Sequence, residues 1–318
     1  MKQLRIACLG DYTRYFSYYN YGVMEGAIRN GAWFRPINIF GQSLSEIKSQ
    51  IEFLKPHILF THCIFDAKGQ HNRDDVFALL RWCRQKAGIF TIYHAGDARP
   101  IPRYANPIDD IIDIGLLNTS LVKEYSNYWK IPCYRWPYMC LYQEDIAEKN
   151  NIFTADIAFT GSLSQDHNSV HYDRTRFVNK LSEGSLLVRI FPNEETGNTR
   201  FQTAELASSS SMVLGKQMVK DLPGYVDVRP FQYIGAGAIY LHDKALQVYE
   251  YFEPKVHYLE YDENDYKSII DLHKHYVVDH PDEGYKIRRQ GFDYCQRFHS
   301  TKERVKKVIE IYREFTRC

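Results

Sequence analysis

The sequence has no pair of cysteines at CxxC spacing. Its seven cysteines (Cys8, Cys63, Cys83, Cys133, Cys140, Cys295 and Cys318) are odd in number and scattered. That pattern excludes a zinc ribbon and a disulfide framework, and cysteines inside apolar runs act as small hydrophobes. No apolar run approaches the roughly 18 residues of a membrane span, and MKQLRIACLG carries no secretory hydrophobic region. The expectation is a cytoplasmic protein. Net charge is only +1, short of the strong basic field of a dedicated nucleic-acid binder. There is no Walker P-loop and no GxGxxG after the first strand, which argues against a nucleoside triphosphatase or a dinucleotide enzyme. GxSxG is absent too, and the histidines, His273 and His275 included, do not fall at metal-ligand spacing.

What is present is ordinary for a globular protein: 44% hydrophobic and 25% charged residues. Aromatic content is high, 15% with 25 tyrosines. It suits stacking or sugar-facing surfaces, and a tyrosine-rich core explains it equally well. At 318 residues the chain exceeds one usual core, so two domains are expected. Short apolar runs (4–10, 57–63, 88–94 and 112–118) alternate with helical periodicity at 22–31, 43–55 and 73–86. The alternation predicts a parallel sheet covered on both faces, a Rossmann-like half. It restarts with DIAFTGS (156–162) and a helix over 172–184. Strands are then expected within 185–192, 237–242 and 256–262, and helices to the end. Segment 135–151 reads as the linker, and SSSS (208–211) as the sole low-complexity tract. Two such halves imply a cleft at the carboxyl ends of both sheets, where open α/β sheets bind ligands.

Three loops after strands carry chemistry. GDYTRYFSYYNYG (10–22) holds Asp11, Arg14 and Tyr15; HAGDARP (94–100) holds His94, Asp97 and Arg99; TGSLSQDHNS (160–169) leads toward Arg174. Each also fits a bland role: Asp11 as a cap, GDARP as a turn, His94 as a structural histidine. TGS before a helix is a phosphate-binding arrangement, though three residues are not specific.

The stretch DVRPFQYIGAGAIYL (227–241) places Gly235 and Gly237 between a helix and a buried strand. Glycine there implies close approach to the backbone, by a ligand or by neighbouring chain. With IAFTGS (157–162), Arg174 in DRTRFVNKL, YLEYDENDYKSII (258–270) and DHPDEGYKIRRQGFDYCQRFHSTKERV (279–305), it keeps the order and spacing of a known pattern. Residues from about 156 to 310 resemble the C-terminal domain of the CgeB-like glycosyltransferases of the GT-B superfamily.

The resemblance implies two Rossmann-like domains with parallel sheets facing a central cleft. Residues 1–145 form an acceptor domain, 146–299 a donor domain, and 300–318 a helix packing back on the first. It implies a hexosyl- or pentosyltransferase using a nucleotide sugar, a UDP-sugar, with no prosthetic group and no metal. Gly161, Ser162, Arg174, Arg229, Gln232, Gly235 and Gly237 bind the donor under this reading. Arg14, Tyr15 and Arg99 bind the acceptor, and the base is Asp97, with Asp11 and His94 behind it. The family commonly has glutamate at Gln232, and the earlier glutamate of retaining relatives falls near Gly224, so stereochemistry is open. The acceptor is a glycan, a protein or a hydroxymethylated DNA base of the viral kind. An inactive nucleotide-sugar-binding scaffold is the rival outside enzymes.

Overall fold

The computed structural model describes residues 3–316 apart from 11, 13–17, 63–70, 97–105, 162, 170, 192–201 and 218. The chain divides into two compact units. The first comprises residues 1–137, 222–225 and 301–318; the second, 138–221 and 226–300.

In the first unit, β1 (Arg5–Gly10), α1 (Tyr18–Arg29), β2 (Trp33–Asn38), α2 (Leu44–Leu54), β3 (Ile58–His62), α3 (Arg73–Gln85), β4 (Phe90–Ala95), β5 (Ile114–Leu117), α4 (Val122–Trp129) and β6 (Cys133–Arg135) follow in order. The six strands form a sheet in the order β2-β1-β3-β4-β5-β6, every pairing parallel. Helix boundaries follow from local chemistry. Ser43 and Glu46 form a capping box at α2, and Asn72 caps α3 by accepting from Asp74 N. The apolar faces of α2 and α3 (Ile47, Ile51, Val76, Leu80) close over Ala7, Leu9, Ile37 and Leu59.

The second unit holds β7 (Ala155–Thr160), α5 (Tyr172–Ser182), β8 (Val188–Phe191), α6 (Thr203–Ser209), β9 (Ser210–Leu214), α7 (Val228–Gly235), β10 (Tyr240–Asp243), β11 (Leu259–Tyr261), α8 (Lys267–His273) and α9 (Pro281–His299). Its five strands run in the order β11-β10-β9-β7-β8, again all parallel. Successive strand residues serve opposite faces. Ile157, Phe159, Met212 and Leu214 join α5 on one side, while Ala158 and Val213 join α6 and α7 on the other. A sheet buried on both faces explains why these strands read as continuous apolar runs.

The last helix, α10 (Thr301–Phe315), belongs to the first unit and lies on α1. Gly26 permits this, since a Cβ there would stand 2.5 Å from Val305 Cγ2. Asn30 Nδ2 donates to Lys302 O at 2.8 Å, and Phe90 meets the Tyr312 and Phe315 rings.

Three strands escaped the sequence reading. β2 and β6 have mixed polarity, and the SSSS tract (208–211) ends α6 and opens β9, a strand inside the second sheet. Among the described residues no helix is long and apolar enough to cross a membrane.

Candidate functional site

Both sheets reverse strand order once, the first between β1 and β3 and the second between β7 and β9. At such a reversal the flanking connections leave toward opposite faces, and a crevice opens at the carboxyl ends of the two strands.

In the second unit the crevice is walled by arginine. Arg229 Nε donates to Thr160 O at 3.0 Å, and its Nη1 pairs with Asp227 at 2.7 Å. Asp227 is also the N-cap of α7, accepting from Arg229 N at 2.9 Å. One carboxylate thus starts the helix and aims its first arginine at the end of β7. The guanidinium lies flat against Gly161, whose φ is +142°; a Cβ there would fall 2.5 Å from Nη2. Thr160 is fixed from below by a 2.5 Å hydrogen bond with the Tyr233 hydroxyl.

Arg174 stands in the first turn of α5, 1% exposed, over the Phe159 ring and 2.9 Å from His171 Nδ1. Burial, then the nearby Arg229 charge, lowers its pKa to about 10. It remains a cation at pH 7. Burial also works against the charge of Arg229, but Asp227 and its other neighbours outweigh this and raise its pKa. His171 titrates below the usual histidine range through burial and the two arginines. Two desolvated guanidiniums sharing one carboxylate, Asp227, leave a local excess of positive charge. Such a place stabilises an incoming anion strongly, because little water competes.

Beyond β9 the chain supplies Lys216, which pairs with Glu263. Lys220 bridges Glu263 at 2.6 Å and the buried Asp243 at 2.8 Å. Asp243 in turn accepts from Gln217 N at 2.7 Å. These two lysines are matched by two carboxylates and serve to hold the loop after β9.

The remaining expected donor residues have clear environments. Gln232 Nε2 donates to Thr203 Oγ1 at 2.9 Å. A Cβ on Gly235 would stand 2.6 Å from Cys140 Sγ, and one on Gly237, at φ +82°, 2.7 Å from Ile146 Cγ1. Close approach is what these two glycines serve, but the approaching atoms are the protein's own segment 138–146. Ser162 lies outside the described residues.

In the first unit, Asp11, Arg14, Tyr15, Asp97 and Arg99 lie outside the described residues. The loop after β1 is anchored where Asn38 Oδ1 accepts from Tyr12 N at 3.1 Å. His94 ends β4 fully buried, its Nδ1 2.8 Å from Nδ1 of His62 and the rings stacked at 4.9 Å. Burial, with His62 adding to it, holds its pKa well below the ordinary value, and His62 itself falls to about 4. Both are neutral at pH 7, one donating and one accepting across the Nδ1–Nδ1 contact.

Residues 174–310 match the family model described as glycosyl transferase-like. Among solved structures, a glycosyltransferase from Rickettsia africae superposes with TM-score 0.60 at 10% identity, covering 99% of each chain. HepE of Anabaena, in complex with UDP and glucose, superposes at 0.61 and 9% identity, over 98% of this chain and 100% of that one. The DNA-modifying enzyme beta-glucosyltransferase, with and without uridine diphosphoglucose, gives 0.56 at 11% identity over 97% and 99%.

The fold is that of the GT-B glycosyltransferases.

No curated protein sequence matches the chain. Arg174, Arg229 and Gln232 fall inside the matched segment, whereas Gly161 precedes it. Sequence reading missed Asp227, His171, Lys216 and Glu263. Asp227 carried a usable signal, an N-cap residue with proline three positions later in the first turn. The others are brought in by tertiary packing, and no local pattern marks them.

Proposed function

We propose that the protein is a glycosyltransferase that moves a sugar from a UDP-sugar to an acceptor hydroxyl, and that it belongs to the CgeB-like branch. The observation that carries the proposal is the buried Arg174 together with the half-buried Arg229 at the reversal point of the second sheet. In the reaction the acceptor oxygen forms a bond to the anomeric carbon, and the bond from that carbon to the diphosphate breaks. The departing diphosphate gains negative charge in the transition state. Arg174, Arg229 and backbone amides near Gly161 meet that charge with donors already desolvated and in place. Gln232, in the first turns of α7, faces the ribose. The acceptor proton passes to a carboxylate of the first unit, Asp97 first and Asp11 next, while Arg14, Tyr15 and Arg99 hold the acceptor.

The test is thermal protection by nucleotides. UDP at about 100 times its dissociation constant adds roughly 2.7 kcal/mol. UDP should protect and Arg229→Ala should abolish the protection without unfolding the protein. Absence of protection at millimolar UDP overturns the donor assignment. Hydrolysis of UDP-sugar without acceptor separates an enzyme from an inactive binding scaffold.

A second acceptor reading, a hydroxymethylated base in DNA, draws support from the likeness to the DNA-modifying beta-glucosyltransferase. It requires DNA retention that falls steeply with salt, because phosphate contacts release counterions. Salt-independent or absent retention removes it.

A further inference from the structure

The serine run 208–211 lines a cavity of about 380 Å³ in the second unit. Ser210 opens β9 and the cavity sits at that amino end, whereas the arginine pair lies past its carboxyl end. The five residues of β9 span about 13 Å between those ends.

The cavity has a defined chemistry. Arg288, from α9, reaches it with its Nε buried and without a hydrogen-bond partner among the described residues. Among the described residues its hydrogen-bond partner is Ala207 O, a long 3.5 Å contact from Nη2, and no described carboxylate pairs with it. Burial lowers its pKa, the expected response of a guanidinium desolvated without a counter-ion. Lys149, exposed and in no ion pair among the described residues, supplies a second cation. Ser209 Oγ already accepts from Asn150 N at 2.6 Å, so its own proton is left to donate. Ser211 adds another hydroxyl, and Asp282 a carboxylate acceptor. Tyr285 is 61% exposed and stands with Tyr276 along one wall.

We propose that this cavity is a second saccharide site, taking a monosaccharide that bears an anionic group, either a phosphate ester or a carboxylate. Arg288 and Lys149 meet the anion, since charge-assisted bonds from a part-buried guanidinium are stronger than neutral ones. Asp282 and the hydroxyls of Ser209 and Ser211 match sugar hydroxyls, which both donate and accept, while Ser208 and Ser210 are held by backbone carbonyls. The tyrosines offer a flat apolar face with polar edges, suited to the C–H face of a pyranose. The volume falls within the range of small-ligand pockets. The site stands independently of the glycosyltransferase proposal.

The experiment is titration calorimetry on the full chain, without UDP and again with it added, using glucose 6-phosphate, glucuronate, glucose and inorganic phosphate as probes. One or both anionic sugars should bind with unit stoichiometry, and which of them binds identifies the anion. Neutral glucose and inorganic phosphate should each bind at least about tenfold more weakly. Arg288→Met should lower anionic-sugar affinity about tenfold or more, and Tyr285→Ala should weaken it too. Arg229→Ala should leave it unchanged. Lys149→Met, at an exposed position, gives the same readout if the Arg288 variant fails to fold. The proposal is overturned if neither anionic sugar binds at millimolar concentration, if UDP displaces it, or if Lys149→Met binds as the parent does. Inorganic phosphate binding as tightly as glucose 6-phosphate also overturns it.

Discussion

The Arg229 guanidinium lies so close to Gly161 that a methyl group on that glycine would sit 2.5 Å from Nη2. The glycine is also at φ +142°, where side chains are strained. Gly161→Ala should therefore displace Arg229 and cost about 1–3 kcal/mol of stability. The same substitution should weaken UDP binding. Denaturant melts and UDP titration measure the two effects. Unchanged UDP affinity would separate Arg229 from the donor.

Under the proposed mechanism the Asp97 carboxylate acts on the acceptor proton and not on the nucleotide, so Asp97→Asn should remove transfer and keep donor binding. Turnover assays with calorimetry on the same variant test this. Full activity would move the base to Asp11 or to a retaining mechanism that uses no protein base.

Gln232 donates to Thr203 Oγ1, and a threonine hydroxyl can donate as well as accept, so glutamate fits at this position without losing that contact. A carboxylate would accept from ribose hydroxyls with charge-assisted bonds. Gln232→Glu should tighten UDP binding about tenfold, the equivalent of roughly 1.4 kcal/mol. Weaker binding would mean that the glutamine faces a phosphate.

Gly235→Ala should destabilise the second unit by about 1–3 kcal/mol, since its Cβ would press on Cys140, with the sulfur 2.6 Å away. Urea unfolding measures it. A neutral result would show that segment 138–146 yields easily.

The His62–His94 pair links stability to pH. His62 has a native pKa near 4 against an ordinary 6.5, and that of His94 is also well below 6.5. Between those values the unfolded chain binds protons that the native pair refuses, so stability falls as pH drops from about 6.5 toward 4. Above 6.5 the pair makes no pH-dependent contribution. Replacing both histidines with glutamine should flatten the difference between pH 7 and pH 5. An unaltered slope would assign acid sensitivity to other groups.

The parallel sheets were legible because burial on both faces writes itself as short runs such as ACL, ILF and IAF. Strand β2 was not, because it is an edge strand: Trp33 and Arg35 alternate outward, and Pro36 is tolerated there. The apolar part of β9 is only Met212–Leu214, three residues after polar serines, too short to show a period. In the candidate site, Arg174 and Arg229 were legible through spacing in a resemblance. The reason for Gly235 and Gly237 was not: both a ligand and a packed segment demand small residues, and sequence does not distinguish them. The Arg174–His171 contact and the Lys220–Asp243–Glu263 bridge depend on where loops meet, which periodicity does not encode.

Residues 222–225 belong to the first unit, though the chain on both sides belongs to the second. Thr119 Oγ1 donates to Pro223 O at 2.7 Å, Ser120 N to the same oxygen at 2.9 Å, and Arg135 Nη2 to Gly224 O at 3.2 Å. The backbone therefore changes unit at 137/138, 221/222, 225/226 and 300/301. A chimera that exchanges the second unit at one junction will carry a foreign Pro-Gly plug into the first unit. Gly224, at φ +67°, leaves that plug little choice of residue, since a Cβ there would press on Ser120 and stand 2.7 Å from Arg135 Nη2. Recombination between relatives is thus constrained at the plug: the halves are interchangeable only as interleaved pieces, with 222–225 and its three anchors inherited together.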